Sequence, residues 1–293
     1  MTIEEHPDQF TNTRKADFKS IYNQPDPRAY FQALAPLQYQ IPQQALPFME
    51  QVLKLSASSG VDGGDDLKHR KVLDVCCSYG INAALLRHGV DLDSLSKYYV
   101  SCSKLSVQEQ VASDQRFFAS KLRRPEVEVL GLDVAPEAIG YAVKTNLLHG
   151  GWAENLETSD PSCRFREALK DVEVVVCTGG VGYVGVRTFS RIVAASENPS
   201  KLWMVTFVLR VFSFDEISDA LEEKYGLVTE KVRGRLFRQR RFTSIEEQNA
   251  AVADVRARGL NPSGLEEDGW FYAECYVTRP KGVAVKMLDF ERL

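Results

Sequence analysis

Residues 71–88, KVLDVCCSYGINAALLRH, combine residue types and spacing with a clear chemical use. An apolar run through Val72, Leu73, Asp74 and Val75 gives way to a loop of small residues, Cys76 to Gly80. A helix-like segment from Ile81 to His88 follows directly. Strand, tight small-residue turn and helix is the arrangement that turns backbone N–H groups toward a ligand at a helix N-terminus. A second acidic strand end stands at Asp133, after Val129-Leu130-Gly131-Leu132. An ionised carboxylate accepts from two vicinal hydroxyls at once, so the two strand ends together read as a nucleoside site.

The elements that must carry these ends alternate along the chain. Apolar runs predict strands over 71–76, 127–133, 172–178 and 201–208, and helical spacing predicts helices over 81–88, 136–148, 186–196 and 214–225. Segment 151–157 carries a weaker strand signal. Such alternation means a mostly parallel sheet covered by helices on both faces. Ser213 with Glu216 and Ser244 with Glu247 have the spacing of capping boxes. Val228 to Arg241 alternates with period two and reads as one antiparallel strand with a wet, basic face; Trp270 to Val277 reads as the last strand. The six basic residues between Lys231 and Arg241 fit an edge strand guarded against strand addition.

Upstream, Asp26-Pro27 and Ile41-Pro42 open two amphipathic helices, expected to form an N-terminal helical cap. Ser56 to Asp66 is linker-like, and the first ~20 residues are polar and read as loose. The expected division is therefore cap and linker over 1–69 and a nucleoside-binding domain over 70–293. Asp74 and Asp133 stand 59 residues apart, where a compact unit needs roughly 20. Residues 89–126 are thus an insertion, either covering the site or packing beside it, with Val107, Val111, Phe118 and Leu122 along one side of a helix.

The composition is that of a globular enzyme, 44% hydrophobic and 26% charged. A net charge of −4 does not favour nucleic acid or acidic membranes. No apolar run is long enough to span a bilayer, and the polar start MTIEEHPDQFTNTRK lacks a signal core, which predicts a cytoplasmic chain. The six cysteines form no CxxC pair and there are only four histidines, so no metal site is expected. Adjacent Cys76 and Cys77 read as small, reduced, buried side chains.

Across roughly 70–280 the chain resembles the class I S-adenosylmethionine-dependent methyltransferases. Their first motif, acid-x-Gly-x-Gly-x-Gly, stands here as Asp74-Val75-Cys76-Cys77-Ser78-Tyr79-Gly80. Cys76 and Ser78 replace two glycines, which makes φ > 0 harder at either position. The resemblance implies a doubly wound, mostly parallel seven-stranded sheet ending in an antiparallel hairpin. It implies S-adenosyl-L-methionine as cofactor, bound at the switch point of the strand order. Asp133 would grip the ribose, with Val134 beside it. Asn155 would face the adenine, and Thr178 and Gly179 the methionine end. Tyr22 resembles the tyrosine that reaches the cofactor from N-terminal segments in some of these enzymes; its alternative is a core aromatic. Tyr183, at the fourth strand end, is the candidate catalytic residue.

The implied reaction is direct displacement, in which the protein supplies alignment and desolvation. Cys177-Thr178-Gly179-Gly180 replaces the Asn/Asp-Pro-Pro-aromatic signature of enzymes that methylate planar amino groups, so a small-molecule acceptor is preferred to DNA or a glutamine amide. A homodimer stays open. Two other readings compete: a cofactor-binding protein without methyl transfer, and an NAD(P)-dependent oxidoreductase built on the literal GxGxxG of Gly180 to Gly185, with Arg210 for a 2′-phosphate. His88 and His149 both end helix-like segments, where a charged His88 would suit the helix dipole.

Overall fold

The computed structural model describes residues 19–58, 70–283 and 288–293. The polar start and residues 59–66 of the expected linker lie outside the described residues. In chain order the elements are α1 (Lys19–Tyr22), α2 (Arg28–Leu34), α3 (Ile41–Ser58), β1 (Arg70–Val75), α4 (Ile81–Arg87), α5 (Leu92–Ser101), α6 (Val107–Ala119), β2 (Val127–Asp133), α7 (Pro136–Lys144) and β3 (Gly150–Ala153). There follow α8 (Cys163–Leu169), β4 (Val174–Thr178), α9 (Val186–Ala195), β5 (Trp203–Leu209), α10 (Asp215–Tyr225), β6 (Leu227–Lys231), β7 (Phe237–Arg241), α11 (Ile245–Ala257), β8 (Trp270–Pro280) and α12 (Leu288–Glu291).

The strands form one sheet in the order β3-β2-β1-β4-β5-β8-β6, with β7 also on β8. β1 to β5 are parallel and β8 runs antiparallel between β5 and the edge. Val and Leu fill the central strands because both faces are covered. Val72 joins one core with α3, α4 and α7, and its neighbour Leu73 joins the opposite core with α8, α9 and α10. Strand order reverses between β1 and β4, and doubly wound sheets bind ligands outside the carboxyl ends at such a switch point. This is the expected doubly wound, mostly parallel sheet ending in antiparallel strands.

The expected single strand over 228–241 is broken. From Lys231 opposite Tyr276 to Phe237 opposite Ala273, the edge spends six residues where β8 spends three. The edge of the sheet is therefore β6 and β7 in line, joined through a bulge that contains Gly234 at φ 71°. The Ser213–Glu216 box also does not form: Asp215 N donates to Ser213 Oγ and the helix cap is Phe214. At Ser244, Oγ accepts from Glu247 N, but the Glu247 carboxylate binds Arg240 and Thr243.

α3 lies directly on the sheet, with Phe48 edge-on to Phe207 of β5 and Phe237 of β7 (5.5 and 5.2 Å). The helix runs through Ser58, so the first residues of the expected linker are helical. The insertion packs beside the frame: Tyr99 of α5 stacks on Phe31 of α2 at 4.7 Å, and α6 meets α7. The buried side of α6 is Gln110, Asp114 and Phe118, while Val107 and Leu122 are exposed. The apolar stripe was the wrong guide here because Asp114 is satisfied inside: it accepts from Gln110 Nε2 (2.7 Å) and the Tyr141 hydroxyl (2.8 Å), and Tyr141 bonds Tyr99 (2.7 Å).

Candidate functional site

The loop after β1 has the backbone of a glycine loop without its glycines. φ is +58° at Cys76, +51° at Ser78 and +76° at Gly80. Left-handed backbone costs an ordinary residue roughly 1–2 kcal/mol, so two non-glycine residues hold strain that the neighbouring contacts fix. A Cβ at Gly80 would press on Ala142 and Leu147 at 3.2 and 3.3 Å, which explains the glycine that remains.

Parallel register brings the strand ends together. Val75 lies opposite Leu132 on one side and Cys177 on the other, and Asp133 lies opposite Ala153. Asp133 Oδ2 accepts from Ser78 N at 2.8 Å and Oδ1 from Ala135 N at 3.1 Å. Each oxygen keeps acceptor capacity. Burial raises the Asp133 pKa against the lowering effect of the backbone N–H groups. Asp74 is buried; Oδ1 accepts from Asn82 Nδ2 at 2.8 Å, and Oδ2 has no partner. Burial pushes its carboxyl from 3.8 up to about 7, with Asn82 opposing and Asp133 adding to the shift. Asn82 also donates to Thr178 Oγ1 at 3.0 Å, so one side chain ties the ends of β1 and β4. The Ser78 hydroxyl is a second buried polar atom without a partner.

The helices before β1 close over this loop. The Tyr79 hydroxyl donates to Ile21 O and accepts from Gln24 N, both at 2.8 Å. Tyr30 stands edge-on to Tyr22, Tyr39 and Tyr79 at 5.7, 6.1 and 6.0 Å. Burial raises the Tyr22 phenol well above its ordinary value; Tyr39, Tyr183 and Asp133 add to this and Arg240 opposes it. The Tyr39 phenol is raised by burial and by Asp74 as well. These phenols remain protonated at neutral pH and can donate hydrogen bonds.

Tyr22, Asp74, Cys76, Ser78, Gly80, Asp133, Thr178 and Gly179 thus gather at adjoining strand ends and the helices above them. Val134 is exposed beside Asp133 and Tyr183 is half exposed on the turn before α9. Asn155 stands two residues after Ala153, the partner of Asp133; it is exposed, and its Oδ1 accepts from Glu157 N at 2.9 Å in a local turn. Tyr30, Tyr39, Tyr79 and Asn82 adjoin these residues and carried no sequence signal; Tyr30 and Tyr39 arrive through contacts with a distant segment.

The Gly180–Gly185 loop has a different fate. Gly185 N, Thr188 N and Thr188 Oγ1 all donate to Glu157 Oε1 (2.7, 3.1 and 2.5 Å). The chain's own carboxylate fills the position at the α9 N-terminus where a pyrophosphate would lie. Arg210 is buried in an ion pair with Glu266 at 2.6 Å, facing away from any 2′-phosphate role. His88 is not a charged cap: burial lowers its pKa to about 4, and Nδ1 contacts Phe118 O. His149 Nδ1 accepts from Val129 N, and burial lowers its pKa too. All six cysteines are free, and Cys163 is exposed. Among the described residues, no group of three or more metal-ligating side chains occurs and no helix is long and apolar enough to cross a membrane.

The donor set fits a ribosyl ligand: a carboxylate with spare acceptor capacity, a loop set for close backbone approach, and two buried polar atoms left to satisfy. No family model and no curated protein matches the chain. Solved structures similar to it include a TehB-like SAM-dependent methyltransferase from Corynebacterium glutamicum, 15% identical, covering 81% of this chain and 99% of that one with a TM-score of 0.38. A SAM-dependent methyltransferase from Aquifex aeolicus is 13% identical, covering 90% and 100% with a TM-score of 0.38. Magnesium protoporphyrin IX methyltransferase from Synechocystis with bound SAM is 10% identical, covering 80% and 79% with a TM-score of 0.37.

Proposed function

We propose that the chain is an S-adenosylmethionine-dependent methyltransferase acting on a small-molecule acceptor. The observation that carries this reading is the loop at the switch point. Cys76, Ser78 and Gly80 alternate in left-handed φ, and Ser78 N is fixed on the carboxylate of Asp133. Strain of this kind persists where surrounding contacts enforce it, and it clusters at ligand sites.

S-adenosylmethionine, when bound, supplies an electrophilic methyl group on a sulfonium. Asp133 would hold the two ribose hydroxyls, and Val134 would offer an apolar surface beside them. The 76–80 backbone gives close approach, helped by the Ser78 hydroxyl. Asp74, when ionised, adds negative potential that favours a cationic ligand. Thr178 and Gly179 would border the methionine end, and Tyr183 would stand on the acceptor side. Tyr22, Tyr30 and Tyr39 exclude water, which strengthens every electrostatic contact inside. The chain's part in the reaction is alignment and desolvation. The expected location is cytoplasmic.

Calorimetric titration with S-adenosylhomocysteine and, separately, NADPH tests the reading. Micromolar binding of S-adenosylhomocysteine alone, lost in Asp133→Ala, supports it. Absence of that binding in the wild type overturns it. Methyl transfer from labelled S-adenosylmethionine into metabolite extracts then identifies the acceptor.

A further inference from the structure

β7 pairs Arg238 with Tyr272 and Arg240 with Phe271, which leaves Gln239 as the extra residue of a β-bulge. Bulges give up ladder pairing and re-aim a side chain, often beside a site. Here the bulge lies at the same end of the sheet as the carboxyl end of β4: Ala273 of β8 pairs with Phe237 of β7 and with Leu209, two residues beyond the Phe207 that pairs with Thr178. Gln40 N, just before α3, holds the Gln239 carbonyl at 2.9 Å. The side chain is 5% exposed and lies on the turn after β4. A Cβ added at Gly179 would stand 2.6 Å from Gln239 Nε2, so the amide occupies the space that a side chain at 179 would need. Gly179 itself is left-handed, with φ +77°. Gln239 Oε1 is buried and has no hydrogen-bond partner.

An orphaned buried carbonyl oxygen destabilises a fold, and an apolar side chain of similar size would avoid the loss. Two further orphans, Asp74 Oδ2 and Ser78 Oγ, lie at the end of β1 and in the loop after it, next to β4 in the sheet. We infer that the Gln239 carboxamide is a positioning group for the acceptor molecule. Its Oε1, the atom left without a partner, accepts a hydrogen bond from a hydroxyl or N–H group of the acceptor. The inference rests on the methyltransferase reading and narrows its acceptor to molecules that carry such a donor. Gln239 moves no proton; its part is orientation.

The test uses full-length protein loaded with S-adenosylhomocysteine and four probes, phenol, aniline, anisole and toluene, followed by saturation-transfer NMR. The wild type is expected to bind phenol and aniline about tenfold more tightly than anisole and toluene, the worth of one buried hydrogen bond. Gln239→Leu should erase that preference, keep its affinity for S-adenosylhomocysteine, and melt at the same temperature as the wild type or higher. Gln239→Glu should retain the preference, since a carboxylate also accepts. A wild type without the preference overturns the inference, as does Gln239→Leu that keeps it or melts several degrees lower. If the wild type does not bind S-adenosylhomocysteine at all, the methyltransferase reading falls first and this inference with it.

Discussion

Asp74→Asn makes the charge at the end of β1 measurable. In the unfolded chain the carboxyl titrates near 3.8, and in the folded chain burial holds its proton up to about pH 7. Between these values the folded state binds more protons than the unfolded one. Stability from this group is therefore greatest below about pH 4, falls as pH rises, and is gone above pH 7. A gap of about three units corresponds to roughly 4 kcal/mol. Asn preserves the shape and can still accept from Asn82, but its own N–H groups enter a buried place at a cost of about 1–2 kcal/mol. At pH 8 the variant should be about 2 kcal/mol more stable than the wild type, and near pH 4 about 1–2 kcal/mol less stable. Urea denaturation at pH 5 and pH 8 reads this directly. The wild type should lose stability between the two relative to the variant, with unchanged m-values. Parallel losses in both proteins would refute the claim that Asp74 is buried as an unpaired acid. The same substitution should weaken S-adenosylmethionine binding at pH 8, because the negative charge kept there is what a cation meets.

Ser78→Gly removes both the left-handed strain and the orphaned hydroxyl, less the added freedom of glycine when unfolded. We expect a gain of about 1 kcal/mol in urea midpoints, with weaker binding of S-adenosylhomocysteine by calorimetry. Glu266→Gln leaves the Arg210 charge buried without its carboxylate and should lower stability by about 3 kcal/mol, seen as a reduced Tm. Tyr141→Phe breaks the link from Asp114 to Tyr99 and should cost about 1 kcal/mol. Amide hydrogen exchange should then accelerate in residues 107–119 before it does elsewhere.

The parts of the site written locally were legible. Val72 to Val75 and Leu130 to Asp133 announce strands by their own apolar runs, and Ile81 and Pro136 open helices next to them. Asp74 and Asp133 could therefore be placed at strand ends without knowing the fold. The left-handed backbone at Cys76 and Ser78 could not be read, because it is imposed by neighbours such as Asp133 and opposed by the residues' own preferences. Asn82 was hidden inside a helix whose face toward Thr178 depends on which strand adjoins β1. Gln239 sat in an alternating run that predicted one regular strand, and only pairing with β8 shows where that strand yields. Asp114 was missed for the converse reason: hydrophobic spacing selects apolar faces, and the inward face of α6 holds Gln110 and Asp114 beside Phe118, with Asp114 bonded by Tyr141 and Gln110.

The broken edge of the sheet bears on how copies of this chain can meet. An open strand edge is a template for another strand, and this sheet has two outer edges. On one side β3 offers four residues. On the other, β6 and β7 offer five each, interrupted by a bulge and carrying exposed Lys231, Arg233, Arg238 and Arg241. Neither edge presents a long, flat, regular row of backbone groups. Continuous sheet growth across two molecules is therefore disfavoured, and self-association, where it occurs, is left to the helical faces. The irregularity that turns Gln239 inward also shields the molecule from cross-molecular strand pairing.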